Sequence, residues 1–364
     1  MRVALYHHLG PGGAARFVGE TVRRSRHDIT WFHVDGAEGI DAADDNGGEH
    51  RRYRRPRGGR VAAADLAAIE RRVANDVDRG GFDVLLAHPC RIFQAPGVLR
   101  ASRTPSLYYA HEPRRRSFEA GYEHGSGLRR VYDQVLGRRD RAAVAAASRV
   151  AVNSVFTAEA VRAVYGREAT VCRPGVDPVA FPYAGAPRKP SVLLVGGLER
   201  SKNHDSVIDA VGRLDARSRP DVHLVHNRGS HADECRLRAR AAQHGVRLHL
   251  HAGISDGDLV QQYQDAAVTV CAAVLEPFGL TALESIACGT PVLAVNRGGF
   301  REVVEDGSTG RLVEPTVDAL VRGIRDYVEH PTALALATRD AVVARWSWEE
   351  CADAVDRACE DAAR

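Results

Sequence analysis

Short apolar runs alternate with longer stretches of helical period along most of the chain. In the first half the runs at 2–7, 29–33, 84–87, 106–109 and 150–152 read as strands, and 14–24, 62–77 and 128–147 as helices. Residues 36–60 break the rhythm. They are rich in Gly, Asp and Arg and predict a mobile loop. A second break falls at 181–190, where Pro182, Pro187 and Pro190 interrupt any apolar period. The strand–helix alternation then resumes, with strands predicted at 191–195, 222–225, 248–251, 268–271, 292–294 and 311–313 and helices from 316 to 364. Such alternation predicts two doubly wound α/β domains, each around a parallel sheet, divided at 183/184.

Composition agrees with this division. A chain of 364 residues suits roughly two domains of about 150–200 residues. At 44% hydrophobic residues each can bury a core, which excludes a disordered chain. No run approaches the roughly 18 consecutive apolar residues of a membrane span. The N-terminal residues Met1 to His7 read as a first strand rather than a signal peptide. Seven cysteines without C-x-x-C spacing argue against a disulfide scaffold or a zinc site, so a reduced, cytoplasmic enzyme is expected.

Charge is uneven. Residues 1–180 hold 29 arginines against 21 acidic residues, whereas residues 181–364 hold 21 cations against 26 acidic residues. The two halves therefore suit different partners. Arginines cluster at Arg51-Arg52-Tyr53-Arg54-Arg55-Pro56-Arg57 and at Arg114-Arg115-Arg116. These are either solvated loop cations or a patch for an anionic membrane surface or acidic acceptor. Only Lys189 and Lys202 are lysines; the other 48 cations are arginine. In a chain this biased, a lysine at a candidate site carries weight.

Three segments carry candidate chemistry. Gly10-Pro11-Gly12-Gly13 links the first strand to a helix, where glycine backbone and a helix N-terminus suit either an anion or a plain tight turn. In the second half, Gly196-Gly197-Leu198-Glu199-Arg200-Ser201-Lys202 again joins a strand to a helix, with Arg200 and Lys202 placed for a phosphate or for solvent. The third segment runs through Glu276-Pro277-Phe278-Gly279-Leu280-Thr281-Ala282-Leu283-Glu284. Glu276 is expected at a strand end, on the carboxyl edge where open α/β sheets bind ligands. Gly279, Leu280 and Thr281 are expected in a first helical turn with N–H groups for an anion, and Glu284 about one turn in. A carboxylate there accepts hydrogen bonds from vicinal hydroxyls, or simply lies on the surface. His111 follows a strand, where it either satisfies a core hydrogen bond or joins a site.

At these residues the chain resembles retaining glycosyltransferases of family 4, which have the GT-B fold of two Rossmann-like domains facing across a cleft. The resemblance rests on Glu276 and Glu284 with seven residues between, and on Glu284-Ser285-Ile286-Ala287-Cys288-Gly289-Thr290-Pro291 and Gly298-Gly299-Phe300-Arg301-Glu302. It extends to Asn153-Ser154, Pro174-Gly175-Val176-Asp177 and Trp346-Ser347-Trp348-Glu349-Glu350. It implies an acceptor-binding domain over 1–183 and a nucleotide-sugar domain over 184–345, with a final helix at 346–364 crossing back to the first. The implied donor is a UDP or GDP sugar. Glu284 would take the ribose hydroxyls, Glu276 and the amides of Phe278, Gly279 and Leu280 the sugar, and Thr281 and Lys202 the diphosphate. Gly12 and Gly13 would face the donor phosphates, His111 the sugar, and Gly253 and Ile254 the base.

Two departures stand out. Gly197 occupies a position where the family usually has arginine, a charge Arg200 would then supply. Val225-His226-Asn227-Arg228-Gly229-Ser230 replaces a glycine-rich turn. The sequence shows no metal cluster, so neither a metal nor a resident cofactor is expected, and neither is a nucleic-acid partner. The other readings open at this point are an epimerase on the same fold and a non-catalytic nucleotide-sugar-binding subunit. A pyridoxal-phosphate phosphorylase needs a Schiff-base lysine, which the positions of Lys189 and Lys202 make improbable.

Overall fold

The computed structural model describes residues 1–10, 12–34, 48–54, 63–90, 92–114 and 127–364. The chain divides into two compact units, Met1–Pro174 with Trp348–Arg364, and Gly175–Ser347. Each is built on a fully parallel sheet.

In the first unit the strands are β1 (Arg2–His8), β2 (Asp28–Val34), β3 (His50–Tyr53), β4 (Val84–Cys90), β5 (Ser106–Ala110), β6 (Arg149–Val152) and β7 (Thr170–Val171). Among the described residues they lie in the order β3-β2-β1-β4-β5-β6-β7. β1 and β4 are buried almost throughout because helices cover both faces of a parallel sheet. The helix Trp348–Ala363 belongs to this unit. Asp356 accepts from the Ser25 hydroxyl and the Arg26 N–H, and Arg24 Nε donates to Glu349 at 2.7 Å.

The second unit contains β8 (Lys189–Val195), β9 (Asp221–His226), β10 (Leu248–Ala252), β11 (Ala266–Cys271), β12 (Val292–Val295) and β13 (Gly310–Val313), in the order β10-β9-β8-β11-β12-β13. This is the doubly wound order, which reverses between β8 and β11.

Two expectations need correction. The segment 36–60, expected to be a mobile loop, contains β3, which pairs with β2 from Trp31↔His50 to Val34↔Tyr53. Its polar sequence hides it: Tyr53 is buried, while Arg51 lies 5.5 Å over the Phe32 ring and binds Glu49. The rest of that expected loop, 36–47 and 55–60, lies outside the described residues. The unit boundary falls at 174/175 rather than 183/184, because Val176 and Phe181 pack in the second core and the Val176 N–H donates to the Trp346 carbonyl. Most of the proline-rich segment is exposed, with Phe181 and Arg188 the exceptions. Arg188 is buried and donates to the carbonyls of Tyr263, Ala184 and Cys288.

Of the arginine clusters, Arg114 is largely buried, with Nε 4.0 Å from Asp140. Arg55, Arg57, Arg115 and Arg116 lie outside the described residues, as does Pro11 of the first glycine turn. No described helix is long and apolar enough to cross a membrane.

Candidate functional site

The site of the second unit assembles where its strand order reverses. β8 ends at Val195, and Gly196 turns the chain with φ 147°, its N–H held by the Val225 carbonyl. Residues Arg200–Lys202 form one 3-10 turn, closed by Asn203 in the left-handed region at φ 57°. Asn203 then ties this loop to its neighbour: its side chain donates to the Ala272 carbonyl at 3.2 Å and accepts from the Ser206 hydroxyl. The Val274 N–H donates to the Ser201 carbonyl. The loops following β8 and β11 are thus fastened together, although some seventy residues separate them.

This fastening brings Lys202 and Glu276 into contact. Lys202 Nζ donates to Glu276 Oε2 at 2.8 Å, with the two side chains 24% and 18% exposed. Glu276 does not end a strand, as the sequence suggested. It lies five residues beyond β11, in the loop to the helix Leu280–Ala287. That loop is held by Gly298-Gly299. The Gly299 N–H donates to the Glu276 carbonyl at 2.8 Å, and a Cβ on Gly298 would stand 2.5 Å from the same oxygen. A Cβ on Gly299 would meet Phe278 Cα at 2.4 Å. Only glycine lets these two backbones approach so closely. Phe278 is buried edge-on against Trp346.

Gly279, at φ 108°, precedes the helix, with Leu280 and Thr281 in its first turn. The first N–H groups of a helix have no partner within it and carry the positive end of its dipole. Glu284 lies one turn further. It is 6% exposed, so it is not a surface residue, and its Oε2 accepts from the Tyr263 hydroxyl at 2.8 Å. Burial and the nearby Glu284 charge raise the Tyr263 pKa well above its usual value, which keeps it a donor.

The remaining candidates of this unit lie at the same carboxyl edge. Arg200 is exposed, and Gly253 (φ 60°) and Ile254 follow the end of β10. At Gly197 the space of a Cβ is taken by Glu199, whose Oε2 would lie 2.0 Å away, and Arg228 Nε stands 3.7 Å from the other Glu199 oxygen. The two departures from the family pattern are therefore neighbours. His204 is buried and donates from Nε2 to the Gly197 carbonyl at 3.0 Å, and burial lowers its pKa to about 4.

The first unit presents its own group at the ends of β1, β4 and β5. Gly12 (φ 139°) precedes the helix Gly13–Arg24, and Gly13 opens it. His111 Nε2 lies 3.2 Å from His88 Nδ1, and the His111 carbonyl accepts from Asn153. Burial lowers the His111 pKa to about 3 and that of His88 well below its usual value. His7, also pushed down to about 3, has both ring nitrogens buried. His88 was legible by the rule that singled out His111, a histidine at the carboxyl end of a strand. Tyr263 and Asn203 had no local signal.

Residues 181–345 match the family model described as Glycosyl transferases group 1. The D-inositol 3-phosphate glycosyltransferase of Acidothermus cellulolyticus is 32% identical over 246 residues, which are 61% of this chain and 54% of that protein. The chain spans about half the length of the curated relatives it matches. Among solved structures, the sucrose-phosphate synthase of Thermosynechococcus elongatus superposes with a TM-score of 0.77 at 19% identity, covering 98% of this chain and 97% of its own. HepE of Anabaena, solved with UDP and glucose, gives 0.77 at 19% identity and covers 98% of both chains. The fold of the chain is therefore that of GT-B glycosyltransferases.

Proposed function

We propose that this protein is a retaining glycosyltransferase of family 4, which moves a sugar from a UDP or GDP sugar to a hydroxyl of its acceptor. The observation that carries the proposal is the Lys202–Glu276 pair at the β8/β11 reversal, beside the N-terminus of the helix that bears Glu284. Ligands of open α/β sheets bind at such a switch point. The glycosyltransferase match over 181–345, and the UDP and glucose found with HepE, support the same reading.

In this reading Lys202 turns from Glu276 to the diphosphate, and Glu276 accepts from the hydroxyls of the transferred sugar. The amides of Phe278, Gly279 and Leu280 assist Glu276, and Thr281 lies by the phosphates. Glu284, which also accepts from Tyr263, takes the ribose hydroxyls. Gly253 and Ile254 back the base, and Arg200 supplies the charge that Gly197 lacks. Gly12, Gly13 and His111 are the first domain's own candidates for donor binding.

The chemistry is largely electrostatic. The C1–O bond to the diphosphate breaks as the acceptor oxygen bonds C1 on the same face, and a diphosphate oxygen takes the acceptor proton. Fixed cations and amides aimed at the growing charge supply the catalysis without a metal or a resident cofactor. The acceptor is a lipid, glycan or small metabolite that binds the cationic first domain, in line with peripheral contact with an anionic membrane.

Product analysis with radiolabelled donors tests the whole proposal. It expects an α-linked product from an α-linked donor, with activity surviving a chelator. A β-linked product, or full loss of activity with EDTA, contradicts it. Co-sedimentation with anionic vesicles at low and high salt tests the membrane contact, which absence of binding at low salt dismisses.

A further inference from the structure

The amino-terminal ends of β9 and β10 carry a second cluster. β10 is the edge strand of its sheet and pairs with β9 in the register Leu248↔Val222 and His249↔His223. The alternation Leu248-His249-Leu250-His251 packs its leucines against the core and leaves the histidines for the other face. The pairing sets His249 beside His223, with rings stacked 4.7 Å apart, and His251 follows His223 in the same stack at 5.3 Å. Asp221 completes the group, with Oδ2 3.1 Å from His249 Nε2, and Arg247 holds its other oxygen.

Asp221, His223 and His249 each offer a ligand atom, and the three atoms lie within 4.8 Å of one another. Among the described residues no other group of three His, Cys, Asp or Glu meets that condition. Two ligands of a tetrahedral zinc at about 2.0–2.1 Å lie about 3.3 Å apart. The 3.1 Å between Asp221 and His249 already matches such an edge. A modest rotation of the His223 ring brings in the third. His251 Nε2, 3.1 Å from His223 Nδ1, is placed as the outer partner that orients His223. Arg247 on Oδ1 orients Asp221 in the same way, leaving Oδ2 toward His249.

We propose that Asp221, His223 and His249 bind a divalent first-row transition metal of the zinc class. Imidazole and carboxylate donors suit Zn²⁺, Ni²⁺ or Cu²⁺, whereas Mg²⁺ and Ca²⁺ favour all-oxygen sites. The cation joins the edge strand to its neighbour, so its role is to hold the sheet edge. It takes no part in sugar transfer, because Lys202 and Glu276 lie at the opposite ends of the strands, about 16 Å away along β9.

The test is calorimetry of the chelator-stripped full chain with ZnCl₂ alone and with MgCl₂ alone, together with thermal melts. One zinc per chain, a raised Tm and no response to magnesium are expected. His249→Gln and His223→Ala are expected to lose affinity by at least the roughly 10–100-fold that follows removal of an outer-shell partner. Their far-UV circular dichroism and melting without metal report folding. His231→Ala, in the exposed His231–Cys235 pair, serves as control. No zinc binding by the wild type, or zinc affinity unchanged in both site variants, overturns the proposal. Nucleotide binding is read separately and does not bear on this result.

Discussion

Gly298 converts a backbone contact into a functional prediction. The residue has φ 62°, and a Cβ there would stand 2.5 Å from the Glu276 carbonyl oxygen and 3.0 Å from the Glu276 nitrogen. Gly298→Ala therefore acts twice. The left-handed conformation costs a non-glycine residue about 1–3 kcal/mol. In addition, a carbon and an oxygen need about 3.3 Å even in the closest favourable contact, so the Glu276 backbone must retreat by roughly 0.8 Å. Misplacing a reacting group by about 1 Å costs on the order of 100-fold in rate. Gly307→Ala separates the two effects. Its φ is 79°, yet nothing lies within 4 Å of the added Cβ, so it meets only the conformational cost. Gly307→Ala is expected to lose about 1–3 kcal/mol in urea melts, and Gly298→Ala more, because it also meets the Glu276 backbone. In initial-rate assays Gly298→Ala is expected to drop by on the order of 10–100-fold in kcat while Gly307→Ala stays near wild type. Equal rates in the two variants would refute the claim that the 298–299 turn positions Glu276.

Further predictions follow from the same contacts. Lys202→Ala is expected to lower kcat by about 10²–10³, the usual loss for one oxyanion donor, as measured by steady-state kinetics at saturating donor. Turnover within a few-fold of wild type removes Lys202 from the mechanism. Tyr263→Phe removes a buried hydrogen bond to Glu284 and is expected to cost about 1–3 kcal/mol in urea melts; an unchanged midpoint contradicts that bond's weight. His204 stays neutral in the folded state, its pKa lowered by burial to about 4. The unfolded chain takes up the proton first, so stability is full above about pH 6.5 and falls as pH drops toward 4. Melts from pH 8 to 4 are expected to show a shallower acid loss in His204→Gln, and identical slopes would exclude His204 as a source.

The strand rhythm was legible because parallel strands buried on both faces are continuous apolar runs, and residues 191–195 or 268–271 admit little else. The partners of Glu284 and Lys202 were not. Tyr263 reaches Glu284 from another helix, and Lys202 meets Glu276 only because two loops are fastened through Asn203. β3 escaped notice since a strand carried by His50, Arg51 and Arg52 lacks an apolar period and gains its burial from Tyr53. The Asp221–His223–His249 cluster was invisible for a related reason. Its spacing spans 28 residues, and only the parallel register of β9 and β10 closes it. The bias toward arginine also hid a structural role: Arg188 in the proline-rich segment caps carbonyls inside the second unit.

The central claim is that the second unit holds a nucleoside diphosphate through Lys202 and Glu284, and calorimetric titration with UDP and GDP tests it most directly. Glu284→Gln is the informative variant, since it keeps an acceptor for Tyr263 while removing the charge offered to ribose. The account predicts that one of the two nucleotides binds the wild type at one per chain and stabilises it by about 2.7 kcal/mol at a hundredfold excess over Kd. It also predicts that most of this is lost in Glu284→Gln. Binding of neither nucleotide, or full binding retained by the variant, would contradict it.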